Sequence, residues 1–84
     1  VKKRQILNLL EKTSAESAIK VIYDEVLGRG GYCRVMDKRF IILNSRLPIE
    51  QKIAVFIEEL SVVEGIVLPP EIKNYYERQG HERT

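Results

Sequence analysis

Between Arg39 and Leu60 the apolar pattern changes period, and this change limits the available folds more than any other feature of the chain. Phe40, Ile41, Ile42 and Leu43 run consecutively, as in a strand covered on both sides. After Asn44-Ser45-Arg46-Leu47 comes Pro48. It suits the first turn of a helix, where a missing amide proton costs nothing. Ile49, Ile53, Phe56, Ile57 and Leu60 then recur at three- and four-residue steps, with Gln51, Lys52, Glu58 and Glu59 off the stripe. The spacing predicts an amphipathic helix over 48–63, ending near Val63-Glu64-Gly65, with a strand packed on it.

The strand has a partner upstream. Tyr32–Met36 and Arg39–Leu43 are rich in residues that suit a pleated surface, and they read as a β-hairpin turning at Asp37-Lys38. Alternation puts Cys33 and Val35 on one face and Tyr32, Arg34 and Met36 on the other, with the Arg34 face expected to be half solvated. Towards the N-terminus, Ile6, Leu7, Leu9 and Leu10 predict a helix over 3–12. Thr13-Ser14-Ala15-Glu16 has the form of a capping box, which predicts a second helix from about Ser14 to Leu27. Ala15, Ala18, Ile19, Ile22 and Val26 lie on its apolar side, and Gly28 takes the left-handed cap. One continuous helix from Lys3 to Leu27 is the other arrangement these residues allow. At the C-terminus, Ile66-Val67-Leu68 reads as a short third strand. Pro70 begins a last helix through Tyr76, whose rings at Tyr75 and Tyr76 pin it to the core, and 79–84 is a frayed tail.

The expected fold is therefore α+β: an N-terminal helix or helix pair, a hairpin, helix 48–63, a short third strand and a short C-terminal helix. With 84 residues it forms one small domain over 1–84. At 44% hydrophobic and 31% charged the composition is globular, but so short a chain has a modest core, which self-association would reinforce. The single cysteine, Cys33, can form no internal disulfide. No apolar run approaches membrane length. Val1-Lys2-Lys3-Arg4 is followed by polar interruptions and not by a signal peptide's apolar stretch, so a cytoplasmic location and no membrane partner are expected. A chain beginning at Val1 is expected to lack its initiator methionine, and whether more precedes it is left open.

The net charge of +2 is unevenly spread. Residues 28–46 carry five basic side chains, Arg29, Arg34, Lys38, Arg39 and Arg46, and one acid, Asp37, for a net +4; residues 47–77 carry two basic and six acidic groups, for a net −4. Such segregation points either to a match inside the fold or to two oppositely charged surfaces. The basic hairpin is the strongest candidate site. Its cations could contact phosphates, with Tyr32 as a stacking surface. The same charges are also what an exposed hairpin uses against aggregation, or what the acidic helix neutralises.

Other motifs yield less. Gly28-Arg29-Gly30-Gly31 follows a predicted helix and precedes a strand, the reverse of a dinucleotide-binding order; it reads as a connector. His81, the only histidine, lies in the tail. With Cys33 it falls short of the usual four zinc ligands, so no metal and no cofactor is expected. Cys33 near Arg29 and Arg34 could act as a nucleophile, but its place beside Val35 favours a small buried residue. Glu58 and Glu59 are neighbours and diverge by about 100° around a helix, so with Glu64 they read as a solvated face and not as an acid–base pair.

The run from Arg39 to Leu60 resembles the centre of the small zinc peptidases related to those that act on phage-type repressors. There a hydrophobic strand ending in Asn leads through a Leu-containing loop into a helix carrying His-Glu-x-x-His. The resemblance covers about 32–63 and implies a similar strand-loop-helix shape. Glu59 matches the family's catalytic glutamate, while Glu58 and Val62 stand where the zinc histidines would be. Val62 cannot bind zinc, so the resemblance does not carry the activity over. The chain also has the general look of a short bacterial protein.

The leading functional expectation is a non-catalytic protein-interaction or self-associating module, with a second copy or another protein as partner. Nucleic-acid binding through Arg29, Arg34, Lys38, Arg39 and Arg46 is the alternative. An enzyme using Glu58, Glu59 or Cys33 comes third.

Overall fold

The computed structural model describes residues 2–26 and 28–78. It is an α+β domain with helices α1 (Lys3–Glu16), α2 (Ile49–Ser61) and α3 (Pro70–Arg78), and strands β1 (Ile19–Asp24), β2 (Gly30–Val35) and β3 (Lys38–Asn44). The sheet order is β1-β3-β2, with β1 parallel and β2 antiparallel to the central β3. α1 packs on β1 and on α2, and α2 packs on β2 and β3, so both helices cover the same face of the sheet. α3 touches α1 and α2 alone and closes the outer side of that helical layer with the fully buried Ile72.

The N-terminal half departs from expectation. Thr13 and Ser14 start no new helix. Their hydroxyls donate back to the Leu9 and Leu10 carbonyls, each at 2.9 Å, which keeps both residues inside α1. The helix ends at Ser17, and Ala18 turns the chain with φ 60°. Ile19–Asp24 is then a strand, not part of a helix over 14–27 or 3–27. Ile19, Val21 and Ile22 are β-branched and resist helical crowding, and β3 offers them a full ladder from Ile19↔Arg39 to Asp24↔Asn44. Gly28 accordingly lies in a loop after a strand and caps no helix. The third strand is thus β1 and not 66–68; Ile66 and Leu68 pack against the core without joining the sheet.

The hairpin forms as expected, with its turn one residue earlier. Val35↔Lys38 closes the ladder, so Met36-Asp37 makes the turn, and Met36 takes φ 58°, a conformation usually left to glycine. α2 is N-capped by Pro48 and buries Ile53, Val55, Phe56, Ile57 and Leu60. Together with Ile6, Leu7, Leu10, Ile19, Ile41, Leu43 and Ile72 these side chains form one core, each worth about 1.5–3 kcal/mol on burial. The last helix runs from Pro70 as expected, with Tyr75 and Tyr76 packed on the core. The tail 79–84, including His81, lies outside the described residues.

Candidate functional site

Strand alternation and the register assign every strand side chain to one of two faces. On the helix side lie Ile19 and Val21 of β1, Ile41 and Leu43 of β3, and Tyr32 of β2; all belong to the core or pack on it. The opposite side carries Lys20, Ile22 and Asp24, then Lys38, Phe40, Ile42 and Asn44, then Gly31, Cys33 and Val35. Among the described residues no helix packs there. Phe40, Ile42, Ile22 and Cys33 are half-buried by their strand neighbours alone, Val35 is 57% exposed, and Met36 at the hairpin tip is 88% exposed. Two expectations are reversed: Cys33 lies on the open face and is not a fully buried core residue, and β3 is not covered on both sides. The Tyr32–Arg34 face is half solvated as expected, with Tyr32 packed on the core and Arg34 exposed.

The open face has shape as well as apolarity. Gly31 contributes no side chain to one corner of it. With Gly30 it lines a shallow hollow of about 540 Å³ at the β2 side of the sheet, bounded by Val26, Gly28, Arg29, Tyr32, Cys33 and Ile42. Gly30 is irreplaceable there: its φ is +97°, and a Cβ would collide with the Ile42 carbonyl. Asn44 ties the adjoining loop to β3, donating through Nδ2 to the Gly28 carbonyl at 2.7 Å and accepting the Arg46 amide at 3.0 Å. A second hollow, of about 350 Å³, lies at the far end beside Ala18, Lys20, Lys38 and Phe40.

No protein-family model, curated protein or solved structure matches this chain.

The basic residues singled out from the sequence are spread over the fold. Arg34 and Arg39 are register partners near the hairpin tip. Arg34 donates to the Met36 carbonyl at 2.9 Å, and Arg39 donates to the Ser17 carbonyl on the helix side. Lys38, next in the chain, belongs to the opposite face. Arg29 and Arg46 lie at the other end of the strands. Arg29 binds Glu58 and approaches Glu59 at 3.7 Å, and Arg46 pairs with Glu25 at 3.4 Å. Part of the charge segregation is thus matched within the fold, between the loop ahead of β2 and helix α2.

Glu58 and Glu59 have unequal roles. Glu58 holds Arg29 at the surface. Glu59 accepts the backbone amide of Tyr32 at 2.9 Å, satisfying an outward-pointing donor of edge strand β2 and blocking that edge against another strand. Val62, just past α2, is 75% exposed. Among the described residues no three His, Cys, Asp or Glu side chains gather as a metal site, and no helix is long and apolar enough to cross a membrane.

At the rim of the inner face, Tyr23 donates its hydroxyl to Glu11 of α1 and lies 5.7 Å below the Lys52 ammonium of α2. Burial, and then the bond to Glu11, raise its phenol well above the ordinary value of 10.0. The open face and the edge contact of Glu59 escaped the sequence reading. The signal for the face was the alternation Lys20-Val21-Ile22-Tyr23-Asp24, hidden because Ile19, Ile22 and Val26 also fit a helical period.

Proposed function

We propose that this chain is a non-catalytic protein-interaction module that works through the open face of its sheet. One observation supports the reading above others: Ile22, Cys33, Phe40, Ile42 and Val35 form a continuous apolar surface with no element of the described residues over it. Contiguous apolar patches of this kind mark interaction sites. The carboxylates considered for catalysis are engaged elsewhere, Glu58 with Arg29 and Glu59 with the Tyr32 amide. Nucleic-acid binding through the basic hairpin is less supported, because the five cations face different ways and four of them already have partners.

Cys33 gives a direct test, since the only thiol lies on the proposed surface. Its alkylation by a neutral maleimide should slow several-fold when the purified chain is concentrated or when cell extract is added. Phe40→Glu should remove that protection while the far-ultraviolet dichroism stays unchanged. A rate indifferent to both additions overturns the reading. Protection given only by an added oligonucleotide, and lost in salt, would favour nucleic acid instead.

A further inference from the structure

We infer that the occupant of the open face is a second copy of this chain, related by a two-fold axis through the row Ile22–Ile42–Gly31; this rests on reading that face as an interaction surface. The register arranges the face in rows. Lys20, Phe40 and Cys33 share one row, Ile22, Ile42 and Gly31 the next, and Asp24 and Asn44 the one after. The row before Lys20 holds Lys38 and Val35. One end of the face is therefore basic, with Lys20 and Lys38, while the other end of β1 carries Asp24. Lys20 and Asp24 are both exposed, and among the described residues neither has an ion-pair partner.

Identical copies close into a dimer through a self-complementary patch, so the charge pattern selects the axis. An axis running across the strands turns the partner's sheet end for end and lays β1 over the partner's β1. Passing through the Ile22–Ile42–Gly31 row, it puts apolar row on apolar row and Lys20 over the partner's Asp24, twice by symmetry. Moved to the Lys20 row, it opposes two lysines; moved to the Asp24 row, it opposes two aspartates. Placed between rows, it sets Lys20 or Asp24 over the partner's Ile22. An axis parallel to the strands lays β1 over the partner's β2, which leaves Lys20 over Cys33 and sets Asp24 over the position of Arg29, a cation already held by Glu58. One placement in this set pairs every charge on β1, and it also centres the apolar row.

Shape points the same way. Gly31 leaves the central row open on the β2 side, where the hollow lies. The same rotation carries each Phe40 past the centre, towards the end of the face where the partner's hollow opens. Three strands spaced ~4.8 Å apart give a face roughly 15 by 20 Å. Two such faces bury roughly 600 Å², less than the roughly 1,200 Å² at which stable interfaces begin, so the dimer is a weak one in exchange with monomer.

Sedimentation equilibrium over two decades of concentration tests this on the wild type, Ile42→Glu, Lys20→Asp, Asp24→Lys and the double Lys20→Asp/Asp24→Lys. The wild type should dimerise and Ile42→Glu should not. Each single charge reversal should weaken the dimer by about tenfold, and the double reversal should restore it; Lys20 and Asp24 are exposed, so these variants spare the fold. If Ile42→Glu abolishes the dimer but the double reversal restores nothing, the axis is overturned and the open-face reading stands. A wild type monomeric throughout, with Cys33 still protected by extract, overturns the second copy alone. A dimer untouched by Ile42→Glu overturns both, and points to pairing of β1 edges, which lie away from Ile42.

Discussion

The two faces of the sheet are built from nearly the same residue types and have opposite fates. Ile41 and Leu43 are fully buried on the side of β3 that α2 covers, while Phe40 and Ile42, alternating with them, are only half-buried on the side without a helix among the described residues. Ile19 of β1 is in the core, and Ile22 of the same strand is outside it. Hydrophobicity therefore does not mark the covered face here. The helices do, and they choose the face carrying Ile41, Leu43 and Tyr32. Among the described residues nothing packs over the apolar surplus on the other side.

The contrast is sharpest in paired truncations. Leu43→Ala should cost about 3 kcal/mol, within the range for fully buried leucines, and Ile42→Ala well under half of that, measured by urea midpoints at concentrations where the chain is monomeric. Equal losses would mean that the open face is covered after all.

A smaller effect separates the neighbours Glu58 and Glu59. Glu59→Ala leaves the outward Tyr32 amide of β2 without its acceptor and should cost about 1–2 kcal/mol, with faster hydrogen exchange at that amide. Glu58→Ala removes only an exposed ion pair with Arg29 and should cost well under about 1 kcal/mol. If the two variants are alike, the edge of β2 is not held by α2.

The smallest expected effect lies at the rim of the covered face. The Tyr23 phenol has a raised folded-state pKa, so the folded state holds that proton more tightly than the unfolded chain does. The stabilisation is fully present below the ordinary tyrosine value of 10.0 and is lost as pH rises above it. Wild type should exceed Tyr23→Phe by a few tenths of a kcal/mol at neutral pH and lose that advantage above about pH 10. An advantage constant with pH would show that the hydroxyl is not held by Glu11.

Legibility followed the range of the interactions. The α2 stripe, the hairpin and the helix starting at Pro70 were readable because local spacing and a proline specify them. β1 was not. Ile19, Ile22 and Val26 satisfy a helical step, Thr13-Ser14-Ala15-Glu16 imitates a cap, and the parallel ladder to β3 joins residues about twenty positions apart. Of the candidate site, the sequence showed the alternation of Cys33 and Val35 against Tyr32 and Arg34 and the half-solvated Arg34 face, but it gave Cys33 a buried role that the structure does not. Glu59 was invisible as an edge contact because its partner is a backbone amide, which carries no residue signature.

By itself the sequence determined the periods: a helical stripe at 49–60 and alternating strands around Met36-Asp37. Those are properties of neighbours along the backbone, governed by side-chain direction in helices and strands. The tertiary structure alone decided that Ile19–Asp24 joins β3 as a parallel strand and that both long helices lie on one side. That choice rests on which surfaces meet across wide separations in sequence, where each surface gains its free energy only once the other is in place, and it is what leaves Ile22, Phe40 and Ile42 open.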